Sequence, residues 1–570
     1  MKPVISAYLI LFSLFVSCTK EEMTGDTQSP RIVSTQPLNN ASKVASNLEV
    51  LVNYDEEIVL DDTYQITVNG NPVTATASLK KLTINVDLQE STSYSVNVSA
   101  KSVKDLAGNY APAVSFSFKT KYPAPTDGKY EAEYAVWSSG NSVLTEIAGY
   151  SGQGYVGGFH DAADFLTFTL DNITKGKFDL YIGYSTANYG GKICDVDING
   201  MKSSFELSSS NGFTEKKYST VLLKTGTNTI KIIPNWTWFL IDYIKIVPNA
   251  DPGSSFNIDP NLVTPNPSTQ AVNLYNYLKT NFLTNIISGT MANYSTNIDE
   301  ATWVHEQTGK WPALTCFDFI DHTNQGSGWV AYDAPFTLGS DWWANNGIVA
   351  LMWHWRDPLN KSGAFYTENT TFDVSKINDT NSPEYAAMLD DIDLIAGYLK
   401  QFRDANIPVI WRPMHEAAGG WFWWGAKGAA PCKALWQLMY DRMVNYHGLN
   451  NLIWVWTTNT NSDATDWYPG DAYVDIIGMD IYPGENQHGS QYVEFNRVKD
   501  IFGGKKIITL SECGSAPDPK QMMEYGDTWS WFMPWNGDFT RSDQHNGKNW
   551  WVKFFSNSYV ITRDKMPDLH

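Results

Sequence analysis

The chain has 570 residues, 43% hydrophobic and 18% charged, with 23 Trp and 30 Tyr. That composition is globular rather than disordered, and the length demands several domains rather than one core. A net charge of −20 with no long basic run excludes nucleic acid as a partner, because phosphates need clustered Lys and Arg. The tryptophans predict large aromatic cores and, at some positions, flat platforms for a ligand.

Residues 1–17 join a basic start to an apolar stretch shorter than the roughly 20 residues of a spanning helix, which reads as an export signal. The following stretch, 18–29, is a polar tether. FVSC resembles a bacterial lipobox, with Phe15 where Leu is usual. It implies cleavage before Cys18 and acyl chains on that cysteine, so that the membrane holds an otherwise soluble protein. CTKEE resembles the surface-export tag of some Gram-negative glycan degraders, or is simply an acidic tether. The expectation is an exported outer-membrane lipoprotein, exposed at the cell surface. Cys194, Cys316, Cys432 and Cys513 are scattered without metal-ligand spacing and read as buried thiols.

From 30 to 121 short alternating runs (LEVLVNY, YQITVNG, KLTINVDL, SYSVNVSA, VSFSFKT) predict a small β-sandwich with Asn-Gly and Gly-Asn turns. SVKDLAGNYAP resembles bacterial immunoglobulin-like modules; no constellation of acids or bases is expected there, and a spacer role follows. After the Pro-rich hinge YPAPTDG, residues 129–248 are again all β. KYEAEYA, GYSGQGYVGGFHDAADFLTFTL and WFLIDYIKIVP together resemble carbohydrate-binding module family 35. That resemblance implies a structural calcium ion on Glu131, Glu133 and Asp242, whose oxygens suit a hard cation; solvated strand-end acids are the alternative. The loop PNWTW places Trp236 or Trp238 where an indole face could stack on a sugar, or else in the sandwich core. Residues 249–268 read as a second linker.

From 269 to 570 the pattern changes. Eight apolar runs, at 285–291, 312–319, 347–355, 408–416, 451–458, 474–482, 506–512 and 529–535, alternate with helical stretches such as 384–405 and 432–448. Near-continuous apolar strands between helices indicate a parallel sheet covered on both faces, and eight such units indicate a (β/α)8 TIM barrel. Catalytic groups then belong at the C-terminal strand ends. Polar residues do end these runs: His354, His415–Glu416, Asp480 with Tyr482, and Glu512, while Trp535 ends the last. Two glutamates across a barrel mouth suit glycoside hydrolysis, in which one acid protonates the departing oxygen and the other attacks carbon or activates water.

WRPMHE at 411–416 with LSE at 510–512, supported by MWHW and DIYP, resembles glycoside hydrolase family 26 over about 270–570. The resemblance implies a retaining double displacement with Glu416 as acid/base and Glu512 as nucleophile. It places Tyr482 against the nucleophile, His354, His415 and Asp480 beside the reacting sugar, Trp535 beneath it, and Trp421 on the leaving-group side. It implies β-1,4-mannan, galactomannan or glucomannan as substrate, with no catalytic cofactor and a monomeric enzyme. Release of mannobiose from chain ends, or action on β-xylan or mixed-linkage β-glucan, are the alternatives. A glycan-binding lipoprotein without catalysis would need no paired glutamates. A metal hydrolase using His354, His415 and Asp480 lacks HxH or HExxH spacing.

Overall fold

The computed structural model describes residues 26–122, 127–249, 256–293 and 297–570. The export signal, the lipobox and Cys18 lie outside the described residues. Two compact units, Met1–Pro125 and Thr126–His570, divide the chain.

The first unit is the expected β-sandwich. Period-2 alternation is plain in Ser93–Val98, where Tyr94, Val96 and Val98 are buried between exposed Ser93, Ser95 and Asn97. This strand sits between Val114–Thr120 and Ile66–Val68 in a five-stranded sheet. A four-stranded sheet containing Val50–Tyr54 supplies Val52 to the same core as Val96, Phe116 and Phe118. One expectation is corrected. Asp26, Glu56 and Asp105 bring carboxylate oxygens within 4.8 Å of one another. They come from the irregular start at Asp26, the bend at Glu56 and the end of the strand Val103–Asp105, which strand periodicity cannot bring together.

The second unit opens with another sandwich. In one sheet Leu240–Pro248 lies between Tyr155–Gly157 and Gly176–Ser185, and Lys129–Glu131 also pairs with it. The facing sheet carries Leu166–Ile173, Gly226–Pro234, Lys192–Ile198 and Met201–Leu207. Ile182, Val196, Ile232 and Ile244 are fully buried between the sheets.

The barrel follows. Its strands are β1 (Ile286–Met291), β2 (Leu314–Asp318), β3 (Ile348–Trp353), β4 (Val409–Pro413), β5 (Leu452–Thr457), β6 (Ile476–Ile481), β7 (Ile507–Cys513) and β8 (Trp531–Pro534). Neighbours pair in parallel and in order, and β8 pairs with β1 to close the ring. Every residue of β1, β3 and β5 is buried, because helices cover the outside and side chains fill the inside. The helix Pro383–Asp404 starts at Ser382, whose side chain accepts from the Tyr385 N–H, and buries the stripe Met388, Ile392, Ile395 and Leu399. The helix Ala429–Tyr440 begins before the predicted 432 and continues as a π-helical turn, Asp441–Tyr446, to Gly448 at φ 66°.

Two boundaries differ from the sequence reading. Residues 256–268 are not a free linker. Phe256 packs 4.9 Å from Phe282, and the Val263 N–H donates to Asp475 Oδ1. β4 also stops at Pro413, three residues short of Glu416.

Candidate active site

Beyond β4 the chain takes a constrained turn. Met414 and Glu416 both have positive φ, 51° and 52°, a region that costs energy for residues with side chains. The turn lifts Glu416 out of the strand direction into the barrel mouth. There one oxygen each from Glu416, Asp480 and Glu512 lies within 4.8 Å of the others.

A buried cation holds this acidic group together. Arg412 on β4 donates to Asp480 Oδ2 at 2.9 Å and to Glu512 Oε1. The Tyr482 hydroxyl donates to Glu512 Oε2 at 2.7 Å, and Ser511 Oγ donates to Asp480 Oδ1 at 2.7 Å. Glu416 takes a different donor, the Trp421 indole N–H at 3.0 Å. Burial and the Asp480 charge push Glu416 up to about 7, against the opposing pull of Arg412 and Trp421. Burial and Asp480 act on Glu512 in the same direction, with Arg412 and the Tyr482 hydroxyl opposing them. Two such close carboxyls titrate as a pair. The one bonded directly to a guanidinium and a phenol ionises first, which leaves the proton on Glu416. Burial and the Glu512 and Asp480 charges raise Tyr482 far above the usual phenol range, so it remains a donor.

Of the sequence-predicted residues, the structure places His354, His415, Trp421, Asp480, Tyr482 and Trp535 around this group. His354 Nδ1 meets Asp318 Oδ2 at 2.6 Å, and its backbone N–H donates to Asp318 Oδ1 at 2.9 Å. His354 Nε2 faces His415 Nε2 at 3.2 Å, and burial holds His415 neutral. Trp535 sits 5.7 Å from the His354 ring. The other rings after Glu416 are packing. Phe422, Trp423 and Trp424 are buried, with Trp423 donating to the Trp355 carbonyl at 2.6 Å and Trp424 to the His415 carbonyl at 2.9 Å. Trp421 alone of the four is half exposed, at 48%.

Arg412 and Asp318 are the functional residues that sequence reasoning missed. The available signals were an Arg inside the apolar run VIWRPM and an Asp at the end of the run LTCFDF.

In the sandwich of the second unit, Trp236 and Trp238 are exposed at 56% and 48%, not core residues. Trp238, at φ 73°, lies 4.4 Å from His160 and 5.9 Å from Tyr189, two neighbours the sequence did not single out. Elsewhere on the module Glu131, Glu133 and Asp242 converge on the loop 151–153. Ser151 Oγ donates to Glu131 at 2.7 Å, Ser151 N–H to Asp242 at 3.0 Å, and Gln153 N–H to Glu133 at 2.7 Å.

Comparison with known proteins decides the family. Residues 263–565 match the glycosyl hydrolase family 26 model, more than half of the chain. The chain belongs to glycosyl hydrolase family 26. Residues 128–249 match the family 35 carbohydrate binding module, and residues 26–120 match a bacterial Ig-like domain. A mannan endo-1,4-beta-mannosidase of Thermothelomyces thermophilus is 38% identical over 78% of this chain and 91% of its own length. Mannan endo-1,4-beta-mannosidase A of a Piromyces species is 37% identical over 77% of this chain and 73% of its own. Among solved structures, a Podospora anserina GH26-CBM35 β-(1,4)-mannanase is 37% identical, with TM-score 0.54, over 78% of this chain and all of that one. The protein is thus a glycoside hydrolase of a retaining family. A closest oxygen approach within 4.8 Å for Glu416 and Glu512 is nearer to the about 5–5.5 Å between carboxyls of retaining enzymes than to the about 6.5–9.5 Å of inverting ones.

Proposed function

We propose that this glycosyl hydrolase family 26 enzyme cleaves internal β-1,4-mannosidic bonds of mannan, galactomannan or glucomannan. The endo-β-1,4-mannosidases among its relatives support the substrate. The carboxylate group of Glu416, Asp480 and Glu512 carries the chemistry. Glu416, protonated near neutral pH, gives its proton to the departing sugar oxygen. Glu512, held anionic by Arg412 and Tyr482, attacks the anomeric carbon and forms an ester to the enzyme. That step removes the Glu512 charge, so Glu416, now ionised, takes a proton from water as the water opens the ester. His354 and His415, oriented through Asp318, and Trp535 surround the reacting sugar. Purified protein should release reducing ends from β-mannan faster than from β-xylan or mixed-linkage β-glucan. Unchanged release after Glu416→Ala and Glu512→Ala would overturn the assignment.

The sandwich of 128–249 acts as the sugar-binding module, with Trp236 and Trp238 as stacking surfaces. Glu131, Glu133 and Asp242 would hold a structural calcium ion, which neutralises their mutual repulsion when bound. Two observations fit that ion. Glu133 Oε2 is buried without a hydrogen-bond partner. A Cβ at Gly152 would meet Glu133 Oε1 at 2.2 Å, so the loop wraps the carboxylates closely. Cys18 supports anchoring as an exported surface lipoprotein, and loss of fatty-acid labelling in Cys18→Ala is the expected result.

A further inference from the structure

The binding module is fixed against the barrel rather than tethered to it. Tyr492 and Val493, at the start of the helix Tyr492–Ile501 that follows β6, are buried in the module's own core. Arg497 from the same helix donates to the Ser204 and Tyr218 carbonyls of the module at 2.6 and 3.0 Å. The contacts continue into two loops at the barrel mouth. In the loop after β5, Ser462 donates through N–H and Oγ to Glu206 of the module at 2.9 and 3.0 Å. Thr460 of that loop donates to Glu494 Oε2 at 2.6 Å, and Glu494 in turn accepts from Ser203 of the module. In the loop after β6, Gly489 faces Met201 so closely that an added Cβ would lie 3.9 Å from Met201 Cγ.

These loops and the module enclose one groove of about 1490 Å³, larger than the roughly 300–1,000 Å³ of a small-molecule site. On the barrel side it is lined by Glu416, Trp421 and Tyr482, and on the module side by Met201 and Lys202. His354, His415 and Trp535 do not line it. The groove therefore leads away from the sugar that Glu512 attacks, on the side where Glu416 delivers its proton to the leaving group. The module's share of the wall comes from the strand Met201–Leu207 and the hairpin turn before it, with Lys216–Ser219 of the strand Thr214–Leu223 beside them. Asn199 and Gly200 both have positive φ, 54° and 93°, as a two-residue type I′ turn requires. Lys202, next to the turn on the strand Met201–Leu207, is exposed and paired with Asp195, and it lines the groove together with the exposed Asn461 and Gln487 of the two loops. Neutral hydroxyl-rich chains suit such a set, because ammonium and amide groups donate to sugar oxygens without demanding a counter-charge.

We propose that the module's hairpin turn and the loops after β5 and β6 form a distal leaving-group subsite, which takes further units of the same β-linked hexose chain as the catalytic centre. The inference rests on the mannanase reading. It makes Lys202 and Gln487 determinants of chain-length preference, and it gives the module a role separate from stacking on Trp236 and Trp238.

The test compares wild type with Lys202→Ala/Gln487→Ala in the full chain, on β-1,4-manno-oligosaccharides of four to eight units labelled at the reducing end. Both side chains are exposed, so the fold is retained. In wild type, kcat/KM should rise as units are added on the reducing-end side of the cleaved bond. In the variant it should fall about three- to tenfold on the longest substrates and stay unchanged on the tetramer, the loss expected for one or two sugar hydrogen bonds. Equal kcat/KM for both proteins at every length, or an equal loss at every length, would overturn the inference. No cleavage by wild type at any length would overturn the mannanase reading, and this inference with it.

Discussion

The Trp421 indole N–H donates to Glu416 Oε2 at 3.0 Å, so the exposed ring of the aromatic loop is also the hydrogen-bond partner of the proposed acid/base. This bond favours the ionised carboxylate and opposes burial and Asp480, which push Glu416 up to about 7. Trp421→Phe keeps the ring and removes the donor. The Glu416 pKa should then rise, and because the first step needs Glu416 protonated, the alkaline limb of kcat/KM should move to higher pH. A charge-assisted bond at a half-exposed indole supports a move of about half to one pH unit. A pH–rate profile on mannotetraose checks it, and an unmoved or lowered alkaline limb contradicts it.

Asp318 holds His354 through both carboxylate oxygens. Replacing it with Asn removes the negative charge and leaves one acceptor oxygen for the two His354 groups, Nδ1 and the backbone N–H, that Asp318 now holds. The expected result is a fall in kcat of roughly ten- to a hundredfold, the equivalent of one charged hydrogen bond, with little change in melting temperature. Steady-state kinetics beside a thermal melt separates this from misfolding.

The eight barrel strands were legible because helices bury both faces, which forces near-continuous apolar runs. The strand ends were less so. Glu416 read as the last residue of β4, yet the chain leaves the strand at Pro413 and turns through Met414 and Glu416. Arg412 and Asp318 were missed because their partners lie far along the chain, Glu512 at 100 positions and His354 at 36, and only barrel closure brings each pair together. The packing role of Trp423 and Trp424 was not legible for a related reason. Their indole N–H groups are satisfied by the carbonyls of Trp355 and His415, which composition cannot reveal. The docking of the module on the helix Tyr492–Ile501 left no periodic mark in the sequence.

Gly425 closes the aromatic loop. A Cβ there would lie 1.9 Å from the Ala417 carbonyl oxygen, a backbone atom that can yield only if the turn after Glu416 moves. Gly425→Ala should cost about 1–3 kcal/mol of stability and displace Glu416 as well. Denaturant unfolding and kcat should therefore fall together, and a stable variant with full activity would contradict the packing.

The three carboxylates around loop 151–153 predict a cation dependence confined to stability. Burial and the charges of Glu131 and Glu133 push Asp242 up to about 7 when no cation balances them. Chelator should lower the melting temperature and calcium should restore it, while Glu133→Gln should abolish the response. Identical melts in chelator and in calcium would remove the calcium assignment.

In the proposed mechanism Glu512 attacks the anomeric carbon while Glu416 supplies the proton. A 2-deoxy-2-fluoro-β-mannosyl substrate with a reactive leaving group slows opening of the ester, so that it can be found by mass spectrometry of peptides. The expected result is one sugar per chain, attached to Glu512. Attachment to Asp480 or Glu416 would contradict it.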